Sequence, residues 1–194
     1  MNPATPGTIL ILVAAVLLAV CTASVPVNKS IYFLSVTAAR RTVTFGCLGF
    51  CVGDQCSGTT VGYKLSDAGS LFGINGNIPY ANQLSSSVLH GLSYTLVLHP
   101  VACGLSAVAF LLGILQHCTG FATAFLTSMV AGFATTVTLI ALALDFALFT
   151  IAKKRVESDG GTASYGTAIW LTLAAFIVLV VAQCAVCCSC CAGR

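Results

Sequence analysis

Residues 120–152 read GFATAFLTSMVAGFATTVTLIALALDFALFTIA, a run with one charged side chain, Asp145. An α-helix rises about 1.5 Å per residue, so about 20 apolar residues cross the hydrocarbon core of a bilayer. This run exceeds that length and shows no sustained polar alternation. It reads as a helix that is apolar on every side and projects beyond the bilayer. Three other runs have the same character: residues 6–27, which carry no charge, residues 88–115 and residues 165–186. Lipid offers the backbone no hydrogen-bond partners, so such runs are helices rather than an open sheet.

The composition around these runs agrees. Hydrophobic residues make up 58% of the 194 and charged residues 7%, with a mean hydropathy of +1.00. Soluble domains carry about 25% charged residues, and so few charges could not cover the surface of a soluble fold of this length. An ordinary cytosolic enzyme, a nucleic-acid binder and a disordered tail are thereby excluded. The net charge of +3 is too small to argue for an acidic partner. The expected fold is all-α, a bundle of four transmembrane helices forming one domain over residues 1–194. Its connections are a loop over 28–87, a tight turn at 116–119 and a short polar loop over 153–164, followed by a cysteine-rich tail over 187–194.

The first run has an alternative reading as a cleaved signal, because Cys21-Thr22-Ala23 offers small residues for cleavage. No Lys or Arg precedes Ile9, however, and signals have a basic start, so the uncleaved helix is preferred.

Two orientation cues disagree. The first and third loops share a side and together hold Lys29, Arg40, Arg41, Lys64, Lys153, Lys154 and Arg155, against Arg194 opposite. An excess of basic residues marks the cytoplasmic side. The cysteines point the other way. Cys47, Cys51 and Cys56 lie in a Gly-rich stretch of the first loop, and a pair spaced by five there favours a disulfide, which needs an oxidising compartment. Cys184, Cys187, Cys188, Cys190 and Cys191 cluster where the fourth helix leaves the bilayer, and juxtamembrane cysteines are acceptors for S-palmitoylation on the cytoplasmic face. Both cysteine cues put the first loop outside and the termini in the cytoplasm, and that topology is adopted.

In the outer loop, residues 31–36 (IYFLSV) and 41–45 (RTVTF) have the β-branched and aromatic content of strands, and residues 61–65 (VGYKL) form a third candidate. The economical arrangement is a small antiparallel sheet resting on the bundle and stapled by Cys51 and Cys56. Cys47 is then the odd thiol: free, competing for either partner, or pairing between chains. Three free thiols are the alternative.

Inside the helices, His99-Pro100 interrupts the second run and Asp145 sits in the third. A buried ionisable group is costly unless paired, so it is a functional candidate. In the adopted topology both fall in the outer part of the bilayer, where a His99–Asp145 hydrogen bond between helices two and three is reasonable. Such a pair could sense protons. The plainer reading is structural: His99 bonds a carbonyl freed by Pro100, which lacks an N–H, and Asp145 meets water or loop backbone. The structural reading carries more weight. For the cysteine tail the readings are multiple palmitoylation, unmodified thiols and, last, metal binding, since structural zinc sites set two ligand pairs apart.

Taken together, several motifs carry a resemblance: Phe45-Gly46, Gly49-Phe50-Cys51 with Cys56, Gly62-Tyr63-Lys64-Leu65, the run Leu96 to Ala102 around His99-Pro100, Asp145-Phe146-Ala147-Leu148-Phe149, and Tyr165 to Thr172 around Trp170. In this order, on four spans, they resemble the fungal PalI and Sur tetraspan family, which is distantly similar to claudins. The resemblance covers nearly the whole chain. It implies cytosolic termini, a Cys51–Cys56 disulfide and a plasma-membrane protein without catalysis or cofactor. PalI-type members assist an ambient-pH sensor at the membrane, and Sur-type members populate cortical membrane domains called eisosomes. The sequence departs from the family in the extra Cys47 and in stopping soon after helix four.

The expected function is therefore a scaffold or escort for a partner membrane protein, PalI-like in pH sensing. The Sur-like cortical role is the alternative. The implied partners are the lipid bilayer and other integral membrane proteins, such as a seven-span pH sensor or cortical-domain proteins, with a second copy of the chain as a further candidate. A transporter or channel would line several helices with polar groups, and only His99 and Asp145 are candidates. No nucleophile–base set, metal quartet or phosphate loop is present to support an enzyme.

Overall fold

The computed structural model describes residues 5–38, 41–53, 55–59, 95–119, 121–158 and 161–192. Among these, four helices are long and apolar enough to cross a membrane: α1 (Thr5–Thr22), α2 (Leu98–Thr119), α3 (Phe121–Ser158) and α4 (Thr167–Ala192). The strands are β1 (Leu34–Ala38), β2 (Arg41–Phe45), β3 (Phe50–Val52), β4 (Gln55–Cys56) and β5 (Thr162–Tyr165). The fold is the expected helical bundle with a small antiparallel sheet.

Several boundaries differ from expectation. The first helix ends at Thr22 rather than near 27, because Pro26 restricts the residue before it to extended backbone. The turn placed at 116–119 is helical through Thr119, leaving only Gly120 between α2 and α3. The first strand runs from Leu34 to Ala38, shifted toward the turn, while the strand at 41–45 has the expected bounds. The candidate strand at 61–65 and the start of the second run at 88–94 lie outside the described residues.

The chain divides into two compact units. The first holds residues 1–20, 98–140 and 171–194 and is helical. Its interior sets alanines among a few larger aliphatic side chains: Ala14, Leu18, Ala102, Ala175 and Leu179 in one cluster, and Ile11, Ala109, Ala131, Ala182 and Val186 in another. Lipid supplies no hydrophobic drive between helices, so alanines that let backbones approach closely favour association by packing. Many large side chains point outward, with Leu111 and Phe133 about 60% exposed, as a lipid-facing surface requires. Thr127, Thr135, Thr136 and Thr138 of α3 donate their hydroxyls to carbonyls four residues back, at 2.7–3.0 Å. Gln183 of α4 donates Nε2 to the carbonyl and the hydroxyl of Ser128, both at 3.1 Å.

The second unit holds residues 21–97 and 141–170. Its five strands are ordered β4-β3-β2-β1-β5, all antiparallel. Strand residues alternate faces, so register decides which side chains meet. One row across the sheet is Tyr165, Leu34, Phe45 and Phe50, and the next is Ala163, Val36, Val43 and Val52. Both rows belong to the apolar cluster with Phe33, Phe149 of α3 and Ile169 of α4. The Phe33 and Phe149 rings are stacked with centroids 6.0 Å apart. The intervening positions Ser35, Thr37, Thr42, Thr44, Thr162 and Ser164 form a hydroxyl-rich face, where Thr37 and Thr42 join their hydroxyls at 3.0 Å. β5 comes from the segment read as a polar loop and adds a fifth strand to a sheet expected from the first loop alone. Its TASY sequence is short and small, and its place is set by backbone pairing with β1.

Candidate functional site

The second unit gathers its buried polar groups where the end of α1, the turn before β3, the approach to α2 and the C-terminal half of α3 converge. Cys47 is central and 5% exposed. Its N–H donates to the Ser24 hydroxyl at 2.8 Å, and its S–H donates to the Leu96 carbonyl at 3.2 Å. That carbonyl is available for a chemical reason. Helical backbone at 95–96 breaks at Val97 and resumes at Leu98. The residue four beyond Leu96 is Pro100, which has no N–H to donate back. The interruption read at His99-Pro100 thus falls just before them, and Pro100 occupies the first turn of α2, where proline is tolerated. The freed Leu96 carbonyl accepts from the Cys47 thiol.

Burial pushes the Cys47 thiol up to about 12, assisted by the nearby Asp145 carboxylate and then by Cys21. A thiol so shifted is protonated at neutral pH and is a poor nucleophile. Asp145, Ser24 and Cys21 are fully buried, and the Cys21 S–H faces the Ala168 carbonyl at 3.6 Å. The node therefore joins parts of the chain far apart in sequence through hydrogen bonds and a buried carboxylate.

Of the two polar residues singled out in the spans, each is described within its own unit. His99 is buried in the helical unit, with Nε2 3.2 Å from the Thr172 hydroxyl of α4. Asp145 lies in the sheet-bearing unit near Cys47. Sequence reasoning named both residues, but gave Thr172 and Leu96 no role beyond their motifs and did not single out Ser24. The signal for the Leu96 carbonyl was the offset of Pro100 from Leu96.

Three glycines hold this region by close approach. A Cβ at Gly46 would collide with the Val25 carbonyl, and one at Gly166 with the Tyr32 carbonyl. At Gly49 a Cβ would fall 2.5 Å from the Ser57 hydroxyl, which accepts the Phe50 N–H at 3.1 Å. Phe50 is buried at 1% exposure. Next to it, Cys51 and Cys56 are directly paired across β3 and β4 and joined by a disulfide. The hairpin turns at Gly53, whose φ of 56° suits a two-residue connection. Cys47 is a free thiol. Trp170 is exposed near the start of the α4 span, a position that suits an interfacial aromatic. Gly62 and Tyr63 lie outside the described residues, as do the side chains of Cys187, Cys188, Cys190 and Cys191. Cys184 is free and exposed. Among the described residues, no group of three or more His, Cys, Asp or Glu is placed to hold a metal ion.

The SUR7/PalI family pattern matches residues 4–182. A pH-response regulator protein palI/RIM9 of Emericella nidulans is 32% identical over 117 residues, 60% of this chain and 20% of that protein. The pH-response regulator protein palI/prr-5 of Neurospora crassa is 31% identical over 118 residues, 60% of this chain and 16% of the relative. A palI/RIM9 protein of Yarrowia lipolytica is 34% identical over 122 residues, 62% of this chain and 15% of the relative. The chain thus aligns with a fifth or less of the length of these relatives. With a match over most of its length, four apolar helices and the disulfide-stapled sheet, this chain belongs to the SUR7/PalI family.

Proposed function

We propose that this chain acts as a single non-catalytic tetraspan domain at the plasma membrane, escorting or scaffolding a partner membrane protein in ambient-pH sensing, as PalI-type members do. The observation that carries this reading is the likeness to proteins named as pH-response regulators. In the proposed topology the sheet lies outside and both termini lie in the cytosol. The Cys51–Cys56 disulfide supports this, because it persists only in an oxidising compartment. The basic residues that argue for the opposite orientation are in part engaged locally. Lys153 Nζ lies 3.7 Å from Glu157 and 5.2 Å from the centroid of the Tyr165 ring.

The lack of catalysis is supported by the chemistry of the buried node: Cys47 is held protonated and hydrogen-bonded, as a structural thiol is. The partner is an integral membrane protein, a seven-span pH sensor in the PalI-type reading. Proximity labelling from this chain in living cells tests it. Enrichment of the seven-span sensor supports the proposal, and enrichment of cortical eisosome components without the sensor favours the Sur-like role.

A further inference from the structure

We draw no further inference here: the strongest candidate, the hydroxyl-rich face of the five-stranded sheet formed by Ser35, Thr37, Thr42, Thr44, Thr162 and Ser164, carries none because nothing in the structure shows what covers it.

Discussion

Gly46→Ala tests how tightly the sheet is anchored to the turn that follows the first helix. A Cβ there would strike the Val25 carbonyl oxygen and come within 2.6 Å of Val25 Cβ and 2.7 Å of its carbonyl carbon. These are backbone and Cβ atoms that cannot swing aside, and Val25 is fully buried. Two hydrogen bonds flank the collision: Gly46 N–H to the Gly49 carbonyl and Cys47 N–H to the Ser24 hydroxyl, both at 2.8 Å. Overpacking costs about 1–3 kcal/mol, and losing one flanking bond adds about 1 kcal/mol, so the expected loss is about 2–4 kcal/mol. For a chain of this length that lowers Tm by roughly 5–15 °C. The assay is thermal unfolding in detergent followed with a thiol-reactive fluorophore, since Cys21 and Cys47 are buried in the fold and react once it opens. Gly58→Ala is the control. Nothing lies within 4 Å of a Cβ there, and a surface change of this kind stays within about 0.5 kcal/mol. A Gly46→Ala protein that melts with the wild type would refute the packing described.

Three further outcomes follow from the same structure. Replacing Cys51 and Cys56 together by Ser should cost about 2 kcal/mol through the entropy of a short closed loop; reductant should destabilise the wild type similarly and leave the double variant unchanged in the same melting assay. Thr172→Val removes the hydroxyl facing His99 Nε2 and should cost about 0.6–1.7 kcal/mol, the range for hydrogen bonds between membrane helices, read by unfolding in a graded denaturing detergent. Cys47 keeps its proton in the fold up to about 12, whereas the unfolded thiol releases its proton near 9.0. Its contribution is therefore intact below 9.0 and is lost as pH rises from there toward 12, by at most about 1.4 kcal/mol per pH unit. Melting curves across that window should fall more steeply for the wild type than for Cys47→Ala, and parallel curves would count against the burial of this thiol.

The membrane class of the fold was legible because an unbroken apolar run has few other uses. Four such runs left the helices in little doubt, although their ends moved by several residues where proline and local turns decided. The strand at Arg41–Phe45 was legible for the same kind of reason, being β-branched and alternating. β5 was not, because Thr162-Ala163-Ser164-Tyr165 has little side-chain signal and owes its place to backbone pairing with Leu34–Thr37. At the site, Asp145 and His99 stood out as polar residues in apolar runs, but their immediate partners did not. The Leu96 carbonyl is a backbone group, and Thr172 is one of many threonines in the spans. Cys47, left open by its spacing, is settled as a buried thiol by the contacts of its N–H and S–H.

The role in pH sensing is tested most directly by deleting the gene in its own host and measuring growth and the transcriptional response after a shift to alkaline medium. With a PalI-like role, the deleted strain fails to respond and the wild-type chain restores the response. A deleted strain that responds to alkaline medium as the parent does would contradict it.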